Sequence, residues 1–254
     1  MIGITEAQLL AWINPLLWPL LRMLALLAAM PVFSQRSVPM RVRIGLALFV
    51  AVSAQPSLPP IPALPLDAPL LLLGLVGQQM LVGLAMGFAV RIVFVSMEFA
   101  GELIGLQMGL NFAGFFDPAS GGQGTATARF FGSMVAFLFV AINGHLMLIQ
   151  ALVQSFHVFP VGDAPLRFVM QAQPQVWGGE IFRTGLWIAL PLLSMLLFVN
   201  AVLGVISRVA PQLNVFSIGF PLTVSIGLIG LVATLPLMEQ PFTQALHRML
   251  SAFS

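Results

Sequence analysis

Residues 98–124 read EFAGELIGLQMGLNFAGFFDPASGGQG, inside a chain that is otherwise almost free of charge. Gly101, Gly105 and Gly109 recur every fourth residue, so a helix through them carries a narrow seam where another backbone can come close. Glu98 and Glu102 fall on or beside that seam, and a carboxylate in apolar surroundings is costly enough to point to a role. Met108 lies on the same helix, just ahead of a change in chemistry. Phe115-Phe116-Asp117-Pro118 closes the helical pattern, and Gly121, Gly122 and Gly124 follow at once. The spacing predicts a packed, interrupted helix over 98–115 that delivers a flexible, aromatic-tipped loop, about 110–124, into an apolar assembly. A loop so placed is a candidate closure.

Composition sets the surroundings. Of 254 residues, 59% are hydrophobic and 7% charged, with a mean hydropathy of +1.02. A soluble domain carries about 25% charged residues, so the chain is expected to be an all-α membrane protein or the core of a large apolar assembly. The formal net charge is only +2, and all ten basic residues are Arg, with no Lys, Tyr or Cys. The pI near 11.0 is therefore arithmetic and marks no nucleic-acid surface. Without Cys there are no disulfides or thiol nucleophiles, and without Lys no Schiff base or phosphate-loop lysine. His145, His157 and His247 are scattered, with no second ligand at metal spacing. No cofactor, metal or catalytic constellation is expected. No basic residue precedes Arg22, so the first apolar segment is expected to stay in the mature protein.

Helices are predicted near 9–33, 42–54, 69–95, 130–157, 182–208 and 213–237, beside the 98–115 element. Prolines at 56, 59, 60, 62, 65 and 69 predict a stiff, extended connection. Pro191 and Gly219-Phe220-Pro221 lie inside predicted helices and should bend them. Loops holding Arg36, Arg41, Arg43, Arg91, Arg129 and Arg208 outnumber those with Arg167, Arg183 and Arg248, which favours the first group as cytoplasmic. No internal repeat is visible. The expectation is one domain, 1–254, with N-terminal helices to 128 and C-terminal helices from 129 that include a hairpin at about 182–237.

The acids have bland readings too. Glu98, Glu102 and Asp117 are expected to pair with Arg91, Arg129 or a neighbouring subunit, and Asp117-Pro118 to open a turn. Gly121-Gly122-x-Gly124 lacks the lysine and preceding strand of a phosphate cradle. Asn143-Gly144-His145 suggests a polar contact between helices. The seams at Gly83/Gly87 and Gly101/Gly105/Gly109 predict close contacts beyond what one chain satisfies.

Three separated blocks carry a resemblance. Gly105-Leu106-Gln107-Met108-Gly109-Leu110, followed by Phe115-Phe116-Asp117-Pro118, is similar to the signature of the FliR family of flagellar export proteins. Pro31-Val32-Phe33, Val38-Pro39 and Arg41-Val42-Arg43-Ile44-Gly45-Leu46 resemble that family's first connection. The stretch 208–221, with Arg208, Pro211, Gln212, Asn214, Gly219 and Pro221, resembles its C-terminal hairpin. The resemblance implies a non-enzymatic subunit of the type III export gate, at the inner membrane within the flagellar basal body. Its fold would join a FliP-like to a FliQ-like unit of kinked helical hairpins in a helically wound assembly. Its partners would be FliP, FliQ and FlhB, with FlhA and proximal rod components, membrane lipid and exported unfolded flagellar proteins. The loop after Phe-Phe-Asp-Pro would block the channel, and much of the gate would stand above the membrane plane. The middle block favours the flagellar branch over virulence secretion. A stand-alone transporter should show repeats and a polar midplane site, and an intramembrane hydrolase a base and nucleophile; neither is readable.

Overall fold

Helix occupies most of the computed structural model, which describes residues 6–35, 37–65, 67–110, 125–162, 174–210 and 215–253. Among these residues there is no strand, and the helices are α1 Glu6–Ala29, α2 Pro31–Ser34, α3 Met40–Ala54, α4 Pro69–Gln107, α5 Ala126–Ala141, α6 Gly144–Val158, α7 Pro174–Val209, α8 Val215–Thr234 and α9 Glu239–Leu250. Four described stretches are long and apolar enough to cross a membrane: Trp12–Ala29, Pro69–Gln107, Trp177–Val209 and Ile218–Phe253. The proline-rich connection makes a single 3-10 turn at Gln55–Ser57 and then runs on without helix through 65, as a stretch so rich in proline must.

Several helix boundaries differ from expectation: the helix expected at 9–33 breaks at Met30 into α1 and α2, and the one expected at 182–208 begins at Pro174. The segments predicted at 69–95 and 98–115 are one 39-residue helix that stops at Gln107. Arg91 is exposed on that helix, not held in a loop, and Ser96 satisfies its hydroxyl on the Ile92 carbonyl at 2.8 Å without breaking the turn. The segment predicted at 130–157 is two helices, because Asn143 adopts the left-handed conformation with φ 57°. Asparagine tolerates that region better than most side chains, so Asn143 supplies a break in the backbone. Beyond 237 lies α9, whose acidic first residue Glu239 and basic His247 and Arg248 suit the two ends of a helix. Pro191 and Pro221 both sit inside continuous helices, α7 and α8.

The residues gather into two compact units, one of Met1–Arg91, Asn143–Trp177 and Leu246–Ser254, the other of Ile92–Ile142 and Gly178–Ala245. The first is built on Trp18, Leu75 and Phe156, with Leu58, Ile61 and Leu64 of the proline-rich stretch packed against them. Arg22 is fully buried there. Its Nε and Nη2 donate to Gln79 Oε1 at 2.9 and 2.6 Å, Nη1 to Ser155 Oγ at 2.8 Å, and Nη2 to the Phe159 carbonyl at 2.9 Å. The guanidinium also lies 3.6 Å from the centroid of the Phe156 ring. Neutral acceptors and a π face thus hold a charge in the apolar interior.

Within the same unit α4 lies on α1 through glycine. A Cβ at Gly83 would run into the Arg22 carbonyl oxygen, and one at Gly87 would stand 2.5 Å from that of Leu26. In the second unit Phe94 stacks with Phe139 and Phe242 at centroid distances of 5.7 and 6.0 Å. Gly185 of α7 admits Phe99 and the Ser96 carbonyl, and Gly230 of α8 admits Leu192 and Met195 of α7. The chain itself therefore fills the Gly83/Gly87 seam.

The glycines make a paired prediction. A Cβ at Gly77 meets nothing within 4 Å, so Gly77→Ala should leave the detergent-solubilised protein as stable or raise stability by up to about 1 kcal/mol. Gly83→Ala forces backbone against backbone and should cost about 1–3 kcal/mol. Thermal unfolding of the two variants side by side checks the opposite signs.

Candidate functional site: the root of segment 111–124

The end of α4 is a complete helix stop. Gly109 takes φ 79°, its N–H bonds the Leu106 carbonyl at 3.1 Å, and the Leu110 N–H reaches back to the Gly105 carbonyl at 3.0 Å. This is the glycine-terminated Schellman arrangement, which satisfies carbonyls the helix would leave unpaired. The turn needs a residue free to adopt positive φ. Gly109 is thus the terminator of the helix, and the packing seam consists of Gly101 and Gly105.

That seam meets the start of α5 in the same unit. A Cβ at Gly101 would stand 2.8 Å from the Thr127 carbonyl oxygen and 2.9 Å from the Phe131 ring, and one at Gly105 would collide with Thr127 Oγ1. Thr125 is the N-cap of α5 and accepts from the Ala128 N–H at 3.1 Å. Its own N–H and hydroxyl donate to Glu102 Oε2 at 3.1 and 3.2 Å. The Thr125 hydroxyl proton being used on the carboxylate, the Thr127 hydroxyl 2.9 Å away serves as donor to Thr125 Oγ1. Glu102 therefore bonds Thr125, not Arg91 or Arg129, and its charge sits at the positive end of α5. Glu98 lies one turn back, where a Cβ at Gly132 would stand 3.0 Å from its Oε1.

The two ends of 111–124, Leu110 and Thr125, are thereby tied to one turn of α4: Leu110 through Gly105, Thr125 through Glu102. A third element reaches the same turn. Met108 is fully buried, and Gly227 of α8 is the gap that receives it, since a Cβ there would lie 2.6–2.7 Å from its Cγ, Cε and Sδ. Thr223, one turn earlier on α8, is buried with its hydroxyl 3.5 Å from the Met108 carbonyl and 3.0 Å from that of Phe220.

The sequence-predicted residues divide accordingly. Glu102, Gly105, Met108 and Gly109 come together at the root, with Gly101 one turn back. Phe115, Phe116, Asp117, Pro118, Gly121, Gly122 and Gly124 lie outside the described residues. In the C-terminal motif Arg208 is exposed in the last turn of α7, Gly219 is buried in α8 and Pro221 is exposed there, while Pro211, Gln212 and Asn214 lie outside the described residues. Thr125, Thr127, Thr223 and Gly227 were missed. A threonine just ahead of an apolar helical run is an N-cap signature that would have found Thr125; nothing local marks the other three. Among the described residues no group of three or more His, Asp or Glu could hold a metal ion.

Known proteins resemble this chain in sequence over nearly its whole length. The family described as bacterial export proteins, family 1, matches residues 13–249. The chain is 44% identical over 248 residues to flagellar biosynthetic protein FliR of Escherichia coli (strain K12), covering 97% of this chain and 93% of the relative. It is 38% identical over 251 residues to FliR of Pectobacterium carotovorum subsp. carotovorum, with coverage of 97% and 93%. Similarity to FliR of Bacillus subtilis (strain 168) is 29% over 215 residues, covering 84% and 82%.

The Glu102–Thr125 clasp can be measured. Glu102→Ala strands the Thr125 N–H and should cost about 1–3 kcal/mol. Glu102→Gln keeps an acceptor of the same reach and should lose less. Since the two side chains act as one unit, Glu102→Ala with Thr125→Ala should fall short of the sum of the single effects by at least about 0.5 kcal/mol. Simple additivity in thermal unfolding would show that the contact does not form.

Proposed function

The chain belongs to the FliR family of bacterial export proteins and is a component of the flagellar type III export apparatus; from that premise we propose that it helps to form, and itself closes, the channel for unfolded flagellar proteins. The observation that carries this reading is the double anchorage of the root, with one end of 111–124 set by the Gly109 stop and the other by Glu102 on Thr125. A closure must be fixed at its base and free to yield beyond it. Phe115 and Phe116 supply bulk for a pore, Asp117-Pro118 a turn, and Gly121, Gly122 and Gly124 conformational freedom. The chain works as one export-gate domain and carries no catalytic step; the driving force comes from other components.

Surfaces of α7 and α8 support assembly with FliP, FliQ and FlhB, and with FlhA and proximal rod components around them. In an apolar 18-residue stretch of Trp177–Val209 only 17% of residues are buried, against 61% in such a stretch of Pro69–Gln107. Phe182, Trp187, Phe198, Ile229 and Val232 are each more than 60% exposed, and so much outward apolar surface calls for lipid or protein cover. The α7–α8 hairpin is the part that would act as a FliQ-like unit. Residence at the inner membrane, in the basal body, fits the lengths. The 39 residues of α4 extend about 58 Å, roughly twice a hydrocarbon core of about 30 Å. Its first part, as far as the exposed Arg91, already covers about 35 Å.

Deleting 115–122 leaves 111–114 and 123–124 to rejoin the clasped ends. The complex should assemble in normal amount, admit a small membrane-impermeant dye, and export poorly or without control. An assembled complex as tight to dye as the wild type would show that the seal lies elsewhere.

A further inference from the structure

Within the second unit a cavity of about 310 Å³ lies between α7 and the end of α8. Ile188 and Met238, both buried, form its floor, while Trp187 and Leu237 at the rim are 69% and 65% exposed. Apart from the Trp187 indole, no lining side chain has a donor to spare. Pro191 and Pro241 lack even a backbone N–H, and the Thr234 hydroxyl donates to the Leu231 carbonyl at 3.0 Å. What fits is apolar and slender. One turn of α-helix, about 10 Å across and about 5.4 Å long, fills about 420 Å³, more than this cavity holds. A cavity of about 150 Å³ accepts benzene, so one of twice that volume accepts a run of about a dozen carbons.

The surrounding charges give the cavity a depth. None lies between Arg183 and Arg208, and none between Arg208 and Glu239. The lining begins one turn inside Arg183 and ends with Met238 and Pro241 on either side of Glu239. The cavity therefore sits at one end of the charge-free zone, where a bilayer passes from acyl chains to headgroups. Trp187 suits that boundary, with an apolar ring and one polar edge. Arg183, four residues back, shares its helix face. Its guanidinium pairs with Glu180 at 3.2 Å on the surface, a weak contact that a phosphate can replace. With Glu180 and Glu239 beside one arginine, the rim matches a headgroup that carries an ammonium as well as a phosphate.

We propose that this cavity holds one acyl chain of a zwitterionic phospholipid, with its phosphate at Arg183 and its ammonium toward Glu180 or Glu239. The proposal rests on α7 and α8 standing in a bilayer. The chain would complete the packing between the two helices where protein side chains leave it open.

The test reads tryptophan fluorescence of the full-length chain in vesicles, taking the Trp187 share as the difference between wild type and Trp187→Phe. Vesicles made wholly of phospholipid brominated on its acyl chains should quench that share. No quenching would place this face outside the bilayer and remove the ground of the proposal. Brominated phosphatidylethanolamine, diluted as a minor component into unbrominated phosphatidylglycerol, should then quench several-fold more than its share of the lipid. The reverse mixture, with the bromine on phosphatidylglycerol, should quench no more than its share. Quenching in proportion to abundance in both mixtures would overturn the site and leave the helices in the bilayer. Thr234→Phe fills the cavity and should abolish the excess. If that variant does not fold, Arg183→Gln, a surface change, should remove most of it. An excess that either folded variant leaves intact would also overturn the site. So would an excess seen with the single chain and lost in the assembled complex, since a companion subunit's side chain would then fill the cavity.

Discussion

The structure depends on a helix that lacks side chains where it meets its neighbours. Gly83 and Gly87 of α4 lie against carbonyls of α1, and Gly101 and Gly105 against the first turn of α5. Where lipid or apolar protein surrounds every helix, burial of apolar area gives little preference for one neighbour over another. Close approach of backbones then supplies the selectivity. The glycines at 74 and 77 face open space, so the seats are set by position and not by glycine content. Each seat also fixes an axial register, because a shift of one residue would bring a side chain against a carbonyl.

Polar groups are few, and each described cluster answers a specific backbone or charge requirement. Arg22 gathers an amide oxygen, a hydroxyl and a carbonyl. Glu102 receives an N–H and a hydroxyl at the head of α5, where the helix presents unpaired amides. Neither arrangement has the base-and-nucleophile geometry of an active site. Both use polar chemistry to hold geometry.

The all-helical class, the proline-rich connection and the helices α7 and α8 were legible because apolar periodicity and proline leave strong local traces. Boundaries were less so. Charged residues at 91 and 98 looked like the ends of spans, yet a helix can carry an exposed Arg91 without interruption. The break at Asn143 depends on one positive φ, which no apolar pattern betrays. At the site, one side of the root was readable from the Gly101–Gly105–Gly109 spacing, although that pattern gave one role to three glycines that divide it. The partners lay 23 residues away for Glu102 and 115 for Met108. Contacts at such separations are decided by tertiary packing, and the arginines expected beside Glu102 were chosen by charge, whereas its donors are the backbone amide and hydroxyl of Thr125.

The buried cation of the first unit bears on the timing of biosynthesis. Arg22 lies in the first helix, within the stretch Trp12–Ala29 that is long and apolar enough to cross a membrane, and at the centre of a bilayer an unshielded arginine costs about 2.5–3.5 kcal/mol. Its acceptors follow 57, 133 and 137 residues later. At roughly 5–20 residues per second the ribosome needs roughly 7–27 s between Arg22 and Ser155. For that interval Arg22 is without the acceptors that hold it in the folded chain. The nascent chain therefore cannot settle from its N-terminus forward; its opening helix becomes permanent only when α6 arrives.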